Sequence, residues 1–236
     1  MINDLSQHTR LTSVNTACVV ELTLGVVIDI NRISIGEIEK VNKLPVILTI
    51  DPSDTHRALA TLTSAFTADP FFRWVFPAPD VYLDGFPRLV TAYCGSGIGA
   101  GTAFSDSEFC AACIWLSPGN APDEAATGAV IEATIPADRI ENLFGVLKAM
   151  DGYHPHDEPL WYLPFIGVDA PSQGKGLGSA LMKHALQLCD EQGTRAYLES
   201  SNPANIPLYE RHGFEVMGRI EVGTAPPVHP MIREKR

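Results

Sequence analysis

A chain of 236 residues with 45% hydrophobic and 8% aromatic content can bury a full core, and reads as one globular domain with a tail. Its net charge of −11 leaves no basic stripe for neutralising phosphates, which excludes nucleic acid as a partner, and no apolar run approaches the roughly 18 residues that span a bilayer. Five irregularly spaced cysteines suit reduced thiols, and the N-terminus lacks a basic region followed by an apolar core, so the expected location is the cytoplasm.

Residues 1–45 carry no clear helical stripe and are expected to be an N-terminal extension of unknown role, with the domain over 46–236. A first strand is expected at 46–50, then a helix start at Asp51-Pro-Ser-Asp54 with Leu59, Leu62 and Phe66 as its buried stripe. Asp69-Pro70 is expected to end that helix and leave the aromatic cluster Phe71, Phe72, Trp74 and Phe76 in a loop before a second helix at 82–93. Strands at 102–105 and 109–116 form a hairpin around Asp106-Ser107-Glu108. Cys110 and Cys113 lie three apart on the second strand and point to opposite faces, which argues against a redox or metal motif. Two helices follow, at 123–133 and 137–150. The run His154-Pro-His-Asp-Glu158 gathers histidines and carboxylates, but Pro155 keeps it extended and no second ligand group stands at recognisable spacing. It is read as a solvated loop, and no metal is expected.

The most informative stretch is Gln-Gly-Lys-Gly-Leu-Gly at 173–178. Before it, residues 160–168 read as a buried strand; after it, Leu177, Leu181, Ala185 and Leu188 recur at helical spacing until Gly193. A glycine turn between strand and helix leaves the first free N–H groups of the helix aimed at an anion. Lys175 is followed by Gly176, so the hydroxyl of a Walker loop is missing, and Leu181 stands where a dinucleotide fingerprint needs its third glycine. Downstream, a strand at 195–201 leads into Asn202-Pro-Ala-Asn-Ile-Pro-Leu-Tyr-Glu-Arg-His-Gly-Phe214, a short helix opened by Pro203 and closed by Gly213, with His212 expected on the surface near the helix end.

Gln173, Gly176 and Gly178 match Gln/Arg-x-x-Gly-x-Gly/Ala, and Asn202, Leu208, Tyr209, Glu210, Gly213 and Phe214 match a second, closing element. In this order the two motifs resemble the GNAT acetyltransferase superfamily. The runs at 158–163, 173–179, 197–200 and 207–211 are similar to its puromycin N-acetyltransferase-like branch. The likeness is close from about 154 to 233, looser over 46–115, and absent from 1–45.

That resemblance implies an α/β fold of the α+β type, with a central, mostly antiparallel mixed sheet flanked by helices. It implies acetyl-CoA as co-substrate, held by Ile166, Gly167, Val168, Gln173, Gly174, Lys175, Gly176, Leu177, Gly178, Ser179, Asn202 and Asn205. Tyr209 is the expected proton donor to the leaving thiolate, since a phenol near pKa 10 lies close above a thiol near 8.5; the alternative is that its ring only packs against coenzyme A. Glu199 is the first choice for deprotonating the amine, or else orients water or binds the amine as a cation. Phe72, Trp74, Trp115, His154 and Trp161 are expected to edge the acceptor site, with plain core packing as the alternative for the aromatics. The expected reaction is acetyl transfer to a small-molecule amine by direct attack in a ternary complex; a homodimer is compatible with the chain. Two alternatives stay open, a non-catalytic acyl-CoA-binding or sensing module and a protein or peptide N-acetyltransferase.

Overall fold

The computed structural model describes residues 45–236, together with the backbone of three short strands before them; the rest of the expected extension over 1–45 lies outside the described residues. The chain divides into two units, Met1–Leu44 and Pro45–Arg236. In the first, β1 (Leu11–Val14), β2 (Ala17–Glu21) and β3 (Val27–Asp29) pair antiparallel in that order.

The second unit opens with β4 (Ile47–Thr49), and Asp51 then accepts from Ser53 N at 2.8 Å, starting a 3₁₀ turn that runs into helix α1 (Thr55–Ala65). The aromatic cluster is not a loop. Asp69 takes extended backbone and accepts from Phe72 N at 3.0 Å, and Pro70 occupies the first helical position, so Asp-Pro opens helix α2 (Pro70–Val75). A capping carboxylate followed by a proline suits a helix start, because the proline lacks the very N–H that would be left without a partner there. Helices α3 (Pro79–Cys94) and α4 (Ser96–Gly99) lead to the hairpin of β5 (Ala103–Asp106) and β6 (Ala111–Leu116). Helices α5 (Glu124–Thr134) and α6 (Ala137–Tyr153) precede β7 (Leu160–Val168), whose bounds coincide with the apolar run. Helix α7 (Leu177–Glu191), β8 (Arg195–Ser200), helix α8 (Ile206–Arg211), β9 (Glu215–Val216) and β10 (His229–Arg233) complete the unit.

The seven-stranded sheet has the order β4-β5-β6-β7-β8-β10-β9, and β7 with β8 is its parallel pair. It is the mixed, largely antiparallel sheet expected. Its two faces bury separate cores. One carries Tyr162, Phe165 and Tyr197 against α1, α3, α5 and α6, and the other carries Trp115, Trp161, Leu163 and Leu198 against α7. Gly167 serves this packing, since a Cβ there would stand 2.6 Å from the Cβ of Ala65 on α1.

Two irregularities in β7 position the site. Between Ile114↔Phe165 and Leu116↔Tyr162 the register with β6 shifts, so Leu163-Pro164 contributes one residue more than its partner, a β-bulge. On the other side, the parallel pairing with β8 ends at Leu163↔Leu198. Pro164 has no N–H to continue a ladder, and from it onward β7 runs without β8. The two strands part and leave a wedge between them.

Candidate active site

The wedge opens into a cavity walled by Leu163, Pro164, Phe165 and Ile166 on β7 and by Leu198 and Glu199 on β8, with Ser201, Asn205 and Tyr209 beyond. Phe71 and Phe72 of α2, Tyr93 of α3, Thr127 and Ile131 of α5 and Leu147 and Met150 of α6 close it on the helical side. A second cavity lies between α5 and α6, and shares Tyr93, Thr127, Ile131, Leu147, Met150, Tyr162 and Glu199 with the first. Glu199 therefore stands where the two meet.

Alternation along β8 puts Glu199 on the same face as Tyr197, whose partner across the parallel pair is Tyr162. Burial raises the Glu199 carboxyl to about 7, partly offset by the neighbouring phenols of Tyr162 and Tyr197, which favour its anion. Tyr162 Oη lies 3.1 Å from Tyr93 Oη. His154 packs its ring edge-on against Tyr162 and Tyr197, at 5.2 and 4.8 Å between centroids, and burial lowers its pKa.

Tyr209 is buried on α8, and burial, then the charge of Asp69, pushes its phenol upward, so it stays protonated at neutral pH. Asp69 does more than cap α2. Its other oxygen accepts from Ser201 Oγ at 2.7 Å, which ties the start of α2 to the end of β8 beside Tyr209, and burial raises its own pKa. The sequence offered Asp69 only as a helix boundary. Its contact with Ser201 spans 132 residues and has no local signal.

The glycine turn sits between β7 and α7. Gly174 and Gly176 have φ of 73° and 84°, in the left-handed region that side chains avoid, and a Cβ at either would meet no atom within 4 Å. Gly176 is the N-cap of α7 and supplies no side chain, so the first N–H groups of that helix face open space. Gln173 Nε2 donates to Val168 O at 3.1 Å and ties the turn to the end of β7, while Lys175 is exposed. This open cradle, with backbone donors and a nearby cation, fits a pyrophosphate. Gly178 lies inside the first turn of α7 and packs beside Leu208, where a Cβ would stand 3.6 Å from Leu208 Cδ2.

Other expected cofactor residues have partners within the chain. Asn202 accepts from Ala204 N at 3.0 Å as the cap of the 3₁₀ turn before α8, and Ser179 Oγ lies 2.9 Å from His212 Nε2. His212 is thus a half-buried link between α7 and α8, not the surface residue expected.

The structure separates the expected acceptor residues. Phe72 lines the first cavity and His154 the second. Trp115 and Trp161 line neither. Both are buried on the α7 side of the sheet with ring centroids 6.4 Å apart, and Trp161 Nε1 donates to Gln192 Oε1 at 2.9 Å. Each stands at a strand position opposite in parity to Tyr162, and the pleat sends it away from the cavity. Trp74 is half-buried against the core and lines neither cavity; it donates to Thr224 Oγ1 at 3.2 Å and carries Arg139 over its ring at 5.6 Å. Missed in the sequence were Thr127, Ile131, Leu147 and Met150, whose spacing on α5 and α6 signals burial but not a cavity. No group of His, Cys, Asp and Glu suited to a metal ion is found among the described residues.

A sequence model of the acetyltransferase (GNAT) family matches residues 93–214, just over half of the chain. An uncharacterized N-acetyltransferase of Schizosaccharomyces pombe is 27% identical over 203 residues, covering 78% of this chain and 81% of that protein. Among solved structures, the polyamine N-acetyltransferase of Drosophila melanogaster, described as forming N-acetylagmatine, superposes with a TM-score of 0.61 at 18% identity over 80% of this chain and 99% of that one. A histone acetyltransferase HPA2 and related acetyltransferase of Corynebacterium glutamicum gives 0.57 at 23% identity, over 81% and 97%.

Proposed function

The chain belongs to the acetyltransferase (GNAT) family and is an acyltransferase, and from that premise we propose that it transfers acetyl from acetyl-CoA to the amine of a small molecule by direct attack in a ternary complex. The observation that carries this reading is the wedge between β7 and β8, with the glycine cradle near the end of β7 and the Glu199 carboxylate at the meeting of the two cavities.

Gly174, Gly176 and the first N–H groups of α7 would hold the pyrophosphate, Lys175 would add charge, and the unpaired stretch of β7 at Phe165 and Ile166 would receive the pantetheine arm. Bound acetyl-CoA supplies an activated thioester. Glu199, ionised above about pH 7, takes the proton from the ammonium form of the acceptor, directly or through a water. The freed amine attacks the carbonyl carbon, the C–N bond forms, and the C–S bond breaks. Tyr209 gives its proton to the leaving sulfur, and the second proton shed by the acylated nitrogen passes through solvent to restore the phenol, which leaves the amide, the free thiol and a protonated Glu199. Burial raises the phenol, and it raises a thiol departing into the same space too, so the proton transfer need not run far uphill. Apolar walls around the reacting carbon limit hydrolysis.

The test is a panel of amines offered with acetyl-CoA to the full chain, with thiol release as readout. Release that depends on the amine is expected. Tight acetyl-CoA binding with no release for any amine would instead favour a sensing module.

A further inference from the structure

The cavity between α5 and α6 has a chemistry of its own. Three carboxylates line it, Glu199 at the inner end and Glu124 and Asp151 on the two helices, and no lysine or arginine does. Glu124 makes no ion pair among the described residues, while Asp151 has only His156 Nε2 at 3.5 Å. Between the carboxylates the walls are apolar, with Ile131, Leu147 and Met150, and Phe144 is 48% exposed at the edge.

Helical spacing builds the channel. Glu124, Thr127, Gly128 and Ile131 follow at i, i+3, i+4 and i+7 on α5, so one face of that helix runs from the outer carboxylate to the shared wall. Two details of this face point to a ligand. Thr127 is 7% exposed and lines both cavities, yet its hydroxyl has no hydrogen-bond partner. A buried hydroxyl left unpaired is a cost that an amine donating to it would remove. Gly128 sits inside a helix, where glycine is a weaker helix former than alanine, and a Cβ there would meet nothing within 4 Å. The missing side chain leaves the channel wider.

We infer that the acceptor enters between α5 and α6, and that it is a slender diamine, with one amine at Glu199, an apolar spacer along Ile131 and Leu147, and a second cation near Glu124 and Asp151. This rests on the acetyltransferase reading and names the substrate class for the same site. A second positive charge is the feature that an anionic mouth lined by no lysine or arginine rewards.

Thiol release by the full chain would be compared for straight-chain α,ω-diamines, monoamines of equal length and short peptides with free N-termini. The diamine is expected to exceed its monoamine by about tenfold in kcat/KM, the size of two partly exposed ion pairs. Glu124→Gln combined with Asp151→Asn is expected to bring that ratio near one. Gly128→Leu is expected to cut diamine kcat/KM by at least about tenfold, while the melting temperature holds or rises and calorimetry still detects acetyl-CoA binding. Equal use of monoamines, a preference for peptides, a ratio unmoved by the double variant, or a fully active and stable Gly128→Leu each overturns the inference. Absence of release with every amine, in protein that binds acetyl-CoA, sinks the acetyltransferase reading and the inference with it.

Discussion

Glu199 is the residue whose environment says most about chemistry, because burial lifts its carboxyl to about 7 while a base for an ammonium must lose its proton near working pH. Activity should therefore rise with pH through about 7, and Glu199→Gln should remove that limb and lower kcat by about 10² to 10⁴. The same shift bears on stability. With the folded pKa above the unfolded one, the folded state holds a proton that the unfolded chain has released, so stability falls as pH rises from the ordinary carboxylate range to about 7 and is level above it. Glu199→Gln should flatten that slope and raise the melting temperature at pH 8, and thermal melts across pH would check it. For Tyr209, loss of one hydroxyl leaves the ring in place. Tyr209→Phe should keep acetyl-CoA affinity and lose about 10² to 10⁴ in turnover, and full activity in the variant would falsify the acid role.

At the scale of elements, the turn before α7 and the two sides of the sheet make separate predictions. Gly176 has φ 84°, where a branched side chain costs about 1–3 kcal/mol, and the space around it is open. Gly176→Val should lower the melting point modestly and abolish acetyl-CoA binding, measured by calorimetric titration of the folded variant; undiminished affinity would put the pyrophosphate elsewhere. Trp161 and Phe72 should part company. Trp161→Ala, in the core on the α7 side, should cost about 3–5 kcal/mol of stability with no selective rise in the Michaelis constant of the acceptor. Phe72→Ala opens the cavity wall where Phe72 packs on Phe86 and Phe165, at 5.0 and 5.6 Å, and should raise that constant more than the one for acetyl-CoA. Steady-state kinetics beside thermal melts would separate the two outcomes.

For the whole molecule, the family match at 93–214 and the structural likenesses over about four-fifths of the chain leave the first unit, Met1–Leu44, without an assigned part in the reaction. We propose that residues 46–236 carry the activity. A protein lacking residues 1–44 is expected to keep its melting temperature and its kcat/KM within about twofold, and a large fall in both would make the first unit part of the enzyme. The net charge of −11 acts at this scale as well, since it favours approach of cationic acceptors and should make that approach weaken with added salt.

Local rules were enough for much of this protein. The apolar run at Leu160–Val168, the glycines of the turn and the stripe of α7 are each written within a few residues, because strand parity, glycine φ and helical spacing are short-range properties. So are the motifs that carry the family. Asp69-Pro70 was just as local and still misread, since the pair suits the end of one helix and the start of the next, and the bond to Phe72 N selects the start. What tertiary structure alone decided was which side of the sheet each aromatic faces and what it meets there. Trp115 and Trp161 look like pocket residues by type, yet the pleat sends them to the α7 core. The cavity itself comes from the end of pairing between Leu163 and Leu198 and from two helices laid across the gap. Those contacts join residues far apart in the chain, and the raised carboxyl of Glu199 exists only once they have excluded water around it.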